Sequence, residues 1–165
     1  MLGNCGATQM TGSVIQFRRA GVEDSEEILR HRRRMFEDMG EGSVDDLDRM
    51  EEATRPWLLR ALADGSYRGW LAEAQGKVVA GGGILISTWP AGPRDPRTQR
   101  AVILNVYCDP EFRRQGLARQ LMSLMIQWLQ QEGFSSVALH ASEAGRPLYE
   151  ALGFRQNNEM RLNLK

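Results

Sequence analysis

Cysteine is scarce in this chain: there are two, Cys5 in a glycine-flanked opening and Cys108 inside an apolar run. That excludes a disulfide framework and a thiolate zinc site, predicts no metal, and fits a reducing cytoplasm. Net charge is absent too, with Lys plus Arg at 21 against Asp plus Glu at 21. No global field then draws the protein to nucleic acid or to an anionic membrane, so neither is expected as a partner and the ligand must be recognised locally. No apolar run approaches membrane-spanning length, and "MLGNCGATQMTGS" lacks the basic start and apolar core of a signal peptide. Residues 1–13 read as a loose tail and 14–165 as one domain, with no repeat, low-complexity tract or linker to argue for a second. Gly81, Gly82 and Gly83 are not followed by the helix that a dinucleotide fingerprint requires, and no Lys-Ser/Thr pair follows Gly116 as a P-loop would demand.

What is present is a chain of 165 residues, 42% hydrophobic and 25% charged, enough for one buried core. "VIQFRRA" alternates as a first strand. A helix capped by Asp24 or Ser25 runs to Gly40, with Met35, Phe36 and Met39 expected in the core and "RHRRR" expected as a solvated basic face. A second helical region starts near Val44 and is expected to divide at Pro56, beside the apolar Trp57. "SYRGWLAEA" and "KVVAGGGILISTW" form a hairpin turned by Gln75-Gly76, and the glycine triplet predicts a bulge or a close backbone approach. Residues 90–100 are a loop. "AVILNVYC" is a central strand, and a helix from Gly116 carries Leu117, Leu121, Leu124, Met125, Trp128 and Leu129 on one stripe to a stop at Gly133. "SSVALHA" reads as a buried strand, "GRPLYEALG" as a short helix and "NEMRLNL" as a last strand. The expected fold class is α/β, a mixed sheet with helices on its faces in the order β-α-α-β-β-β-α-β-α-β.

The chemistry concentrates in "DPEFRRQGLARQLM", residues 109–122. A strand ending at Cys108 and a helix beginning near Gly116 bring unpaired N–H groups to one spot, which favours an anion. Gly116 leaves room for a phosphate at the backbone, Ala118 keeps the next position small, and Arg113, Arg114 and Arg119 add positive charge. A pyrophosphate suits such a place.

The stretch resembles the coenzyme A signature of the GNAT superfamily of acetyl-coenzyme A-dependent N-acetyltransferases: Gln or Arg, two variable residues, Gly, one variable residue, Gly or Ala. Arg113, Gly116 and Ala118 satisfy it, and "RRAGVEDSEEI", "VVAGGGI" and "GRPLYEALGF" stand in the matching order. The resemblance implies a GNAT-like domain that binds acetyl-coenzyme A, with the phosphates on Arg113, Arg114, Gln115, Gly116, Leu117, Ala118 and Arg119 and the pantetheine arm beside Val106, Tyr107 and Cys108. It implies splayed strands around Val106 and Leu139, a backbone oxyanion contact at Val106, and Tyr149 beside the coenzyme sulfur as general acid. Cys108 stands where such proteins often carry Val, and packing is the reading for it rather than nucleophilic catalysis.

No general base announces itself. His140 is a candidate, Glu73 and Glu143 are weaker ones, Asn105 could orient a water or the amine, and a water chain serves equally. In similar proteins the first two helices and the loop after the third strand line the acceptor pocket, which brings in Trp89 and Arg94. The expected activity is acetyl transfer to the primary amine of a small-molecule or peptide acceptor by direct attack in a ternary complex, with a homodimer in view. The rival expectation is a non-catalytic acyl-coenzyme A sensor or subunit.

Overall fold

The computed structural model describes residues 14–93 and 95–164; the expected tail with Cys5, and Arg94, lie outside them. Strand β1 (Ile15–Arg19) leads through a 3-10 turn into helix α1 (Ser25–Met39), then α2 (Val44–Asp64), β2 (Tyr67–Ala74), β3 (Lys77–Thr88), β4 (Gln99–Cys108), a second 3-10 turn, α3 (Leu117–Gln131), β5 (Ala138–Leu139) and α4 (Arg146–Ala151). One sheet of order β1-β2-β3-β4-β5 holds them, antiparallel except for the parallel β4–β5 pair.

Asp24 occupies the cap position of α1 but spends its carboxylate elsewhere. It takes two bonds from Arg18, at 2.8 and 2.7 Å, and one from the Gly21 N–H at 2.8 Å, while the Arg18 Nε reaches Glu73 at 2.8 Å. This half-buried clasp ties β1, the start of α1 and β2 together, and the Arg18 guanidinium holds Asp24 below its usual range. Gly40, at φ +66°, ends α1 in the left-handed conformation that an L side chain resists. Helix α2 opens on a reciprocal Ser43–Asp46 capping box. It does not divide at Pro56: the helix is continuous, because Pro56 and Glu52, whose carbonyl loses its donor, both face solvent.

Two clusters sandwich the sheet. Leu117, Leu121, Met122, Met125 and Leu129 of α3 pack on Trp70, Val79, Ile84, Ala101 and Ile103. On the opposite face Ile28, Leu29, Leu58 and Ala61 of α1 and α2 pack on Tyr67, Leu71 and Val78. Met35, Phe36 and Met39 are only half-buried and belong to neither cluster, since the face of α1 turned to the sheet carries Ile28, Leu29 and His31.

The β2–β3 hairpin turns through Gln75 and Gly76 at φ +52° and +76°, the pair of left-handed residues that suits a two-residue turn. The glycine triplet does both things expected of it. A side chain on Gly83 would collide with the Tyr67 phenol, one on Gly81 would meet Leu71 at 3.0 Å and His31 at 3.1 Å, and the β3–β4 register shifts between Gly81 and Gly83. The extra residue lies on β4, where Asn105 takes φ +58°. The bulge changes the facing of the strand: Leu104 and Asn105 both look toward α1 and α2, after which Val106 and Cys108 face the α3 cluster and Tyr107 faces α1.

Two strand expectations fail. Strand β5 is two residues long instead of spanning 135–141, because β4 bulges away after Val102 and Ile103 have paired with Ala138 and Leu139. Residues 158–164 form no strand. Their alternating apolar side chains Met160, Leu162 and Leu164 are 94, 80 and 89% exposed, and so short a β5 offers them no ladder to join.

Candidate active site

Past the Ile103–Leu139 pair the parallel strands separate, since β4 runs on to Cys108 while β5 stops. The stretch of β4 that runs on past that pair contains Val106, Tyr107 and Cys108, the residues singled out in the sequence for the pantetheine arm. Beyond it the Asp109 N–H returns to the Val79 carbonyl at 2.8 Å, and Pro110–Phe112 make a 3-10 turn.

The turn into α3 has an uncommon backbone. Arg114 and Gly116 are both left-handed, at φ +60° and +84°. Left-handed residues interspersed in a turn are a backbone pattern of anion-binding nests. Among the described residues none of the N–H groups from Arg114 through Arg119 donates to the protein; the first α3 bond in the chain is from the Gln120 N–H to the Gly116 carbonyl, and no side chain caps the helix. A Cβ on Gly116 would meet nothing within 4 Å. Space and unpaired donors therefore coincide, and a diphosphate satisfies both.

The arginines divide their work. Arg113 is committed internally: its Nε donates to the Cys108 carbonyl at 3.0 Å, its terminal nitrogen pairs with Asp38, and its cation lies 5.6 Å from the Tyr107 ring centre. Through these contacts it braces the turn. Arg114 and Arg119 are exposed. Gln115 donates to the Glu111 carbonyl at 3.2 Å, Leu117 anchors the helix in the core, and Ala118 is half-buried.

Cys108 packs against the α3 cluster, its Sγ 3.6 Å from the Asp109 carbonyl oxygen. Burial pushes the thiol up to about 11, so it stays protonated and unreactive. Tyr149 is half-buried on α4, its ring edge-on to Phe154 at 6.1 Å, and burial raises the phenol above its usual range, which keeps its proton in place. Gly145 makes room for that ring: a Cβ there would lie 2.9 Å from it.

Tyr149 and His140 both line a groove of about 730 Å³ on the outer flank of β5, together with Arg100, Arg146, Glu150 and Phe154. No residue of the 113–119 turn reaches it. His140 is exposed at the end of β5. Of the weaker bases, Glu73 is held by Arg18 at the β1–β2 edge and Glu143 is exposed, while Asn105, considered for orienting a water or the amine, is buried and bonded on both ends of its amide. Trp89 is exposed beneath the Arg100 cation.

The basic run on α1 is where the sequence reading missed most. His31 is buried, and Arg30, His31 and Arg32 meet Asp109, Tyr107 and Asn105 in turn along β4. Alternate residues of an extended strand share a face and rise steeply, so a helix laid along it can match them with successive side chains. A charged run beside an apolar stripe gave the only signal, and a solvated face produces the same one.

Among the described residues no cluster of His, Cys, Asp and Glu is placed to hold a metal, and no helix is long and apolar enough to cross a membrane. The Acetyltransferase (GNAT) family model matches residues 26–154. A GCN5-related N-acetyltransferase from Ralstonia eutropha JMP134 is 36% identical, with a TM-score of 0.86 over 92% of this chain and 99% of its own. A predicted acetyltransferase from Clostridium acetobutylicum, solved with acetyl-CoA, shares the fold at 24% identity, with a TM-score of 0.83 over 92 and 97% of the two chains. Human N-acetyltransferase 8 is 30% identical over 93 residues, 54% of this chain, and the match spans 39% of that relative's length. With the splayed strands, the open helix start and the family match over most of its length, the chain belongs to the GNAT family of acetyltransferases.

Proposed function

We propose that the protein transfers the acetyl group of acetyl-coenzyme A to a primary amine, by direct attack while both substrates are bound. The observation that carries this reading is the row of unpaired N–H groups from Arg114 to Arg119 opening beside the parted ends of β4 and β5. The N–H groups grip the diphosphate, with Arg114 and Arg119 at the rim. The parted strand presents ladder groups to the amide-rich pantetheine arm along Val106, Tyr107 and Cys108.

In that pose the backbone N–H of Val106 stabilises the negative charge that develops on the thioester oxygen as the amine attacks. Tyr149 keeps its proton through burial and gives it to the departing thiolate. The amine loses its proton to water or to the exposed His140. Holding the two reactants together supplies most of the acceleration, which is why so few reactive side chains suffice. The reading includes pairing of two copies over the exposed Met160, Leu162 and Leu164, checked by sedimentation of the chain with and without residues 158–165.

The experiment is a turnover screen with acetyl-coenzyme A over classes of amine, following thiol release, beside Gly116→Glu as a control unable to hold the coenzyme. Release that depends on the amine and vanishes in the control supports the reading. Tight acetyl-coenzyme A binding with no transfer to any amine supports the sensor alternative.

A further inference from the structure

The arginines of α1 are not equivalent. Arg30 pairs with Glu27 at 2.7 Å and Asp109 at 2.9 Å; Arg33 pairs with Glu37, Asp48 and Glu51 at 3.0, 2.6 and 2.7 Å; Arg34 pairs with Glu37 at 3.2 Å. Arg32 has no carboxylate partner among the described residues. Its Nη1 donates to the neutral Asn105 Oδ1 at 2.8 Å, and its cation lies 5.0 Å from the Phe36 ring centre. Its Nε is sealed from solvent with no acceptor, while Nη2 has no protein partner and is not sealed. Burial lowers its pKa, and the neighbouring Tyr67 phenol is itself pushed by burial up to about 12 and offers no negative charge. A half-buried cation left without an anion is costly, and a buried donor without an acceptor calls for an explanation.

The guanidinium is also held in place. Asn105 donates from Nδ2 to the Tyr67 hydroxyl at 3.2 Å, which fixes its Oδ1 toward Arg32, and Tyr67 lies against the bare backbone of Gly83. Asn105 is the bulge residue, one position before Val106. The other buried Nε without a partner, on Arg68, stands two strands from β4 with its cation over Trp128 at 5.2 Å, and carries no such link to the site.

We infer that Arg32 binds an anionic group of the acceptor, so that the amine acetylated by this protein carries a carboxylate or phosphate a short distance from its nitrogen. This rests on the reading that Val106 faces the thioester, since Asn105, which holds Arg32, stands one residue before Val106 on β4. Both oxyanions can accept a charge-assisted hydrogen bond from the open Nη2.

The test compares matched amines: β-alanine against β-alaninamide, and O-phosphoethanolamine against ethanolamine, in the wild type, Arg32→Gln and Arg32→Lys. In the wild type the anionic member of at least one pair has a kcat/KM roughly ten- to a hundredfold above its neutral partner. Arg32→Gln brings that ratio near one and leaves acetyl-coenzyme A affinity unchanged, while Arg32→Lys retains part of the preference. The pair that shows the ratio tells carboxylate from phosphate. Equal rates within both pairs, or an equal loss on both members in Arg32→Gln, overturn the inference and make Arg32 a structural residue. No transfer to any of the four with acetyl-coenzyme A still bound also counts against it, and no acetyl-coenzyme A binding removes the proposed function with it. If Arg32→Gln does not fold, the partial preference of Arg32→Lys decides.

Discussion

Gly116 stands at φ +84° with open space over its α-carbon, so a side chain there brings backbone strain and would intrude on the diphosphate site proposed above. Gly116→Glu is expected to weaken acetyl-coenzyme A binding at least a hundredfold by calorimetry, at a stability cost of roughly 1 kcal/mol. Tyr149→Phe removes only the proton donor; kcat should fall about a hundred- to ten-thousandfold with coenzyme affinity preserved. His31 reports on folding. Burial, with the neighbouring Arg30 cation, pushes it from 6.5 down to about 4. Through that window the unfolded chain takes up a proton that the folded chain refuses, so the stabilisation is complete above pH 6.5, shrinks as pH falls, and is spent below pH 4. Urea unfolding should show the protein roughly 2 kcal/mol less stable at pH 5 than at pH 7, and His31→Gln should flatten that slope. The helix start at Gly116 and the short helix that carries Tyr149 were legible in the sequence because each sits in a short local pattern. His31 and Arg32 were not, since their partners Tyr107 and Asn105 lie far along the chain and only the fold brings them together.

Helix α2 shows how an element absorbs a local fault. Pro56 removes one hydrogen bond on the solvent side, and Leu47, Leu58 and Ala61 hold the helix down on either side of it. Pro56→Ala should raise stability by roughly 2 kcal/mol in thermal or chemical unfolding, the helix penalty of proline, about 3 kcal/mol, less its restriction of the unfolded chain. A drop would mean that the ring itself packs. Helix α3 and the β2–β3 hairpin followed from periodicity and from Gln75-Gly76, because both signals lie within one element. The extent of β5 and the fate of residues 158–164 did not. Alternation says that one face of a strand would gain from burial, whereas a strand also needs a neighbour whose ladder is free and long enough, and the bulge at Asn105 ends that ladder early.

At the scale of the molecule, the sheet with α3 on one face and α1 and α2 on the other brings three things to one end: the parted strands, the open start of α3, and the unpaired edge of Arg32. The first two follow from strand order and helix placement and were expected from the motif order; the third depends on how α1 rotates about its axis over β4, which composition and spacing leave undetermined. The central claim is that main-chain N–H groups at the turn into α3 hold the diphosphate. Its most direct test is a ¹⁵N-edited NMR titration of the protein with acetyl-coenzyme A, following amides residue by residue. Large downfield shifts concentrated on Gln115, Gly116, Leu117 and Ala118 are the predicted result. Saturating binding that leaves those four amides unmoved would contradict it.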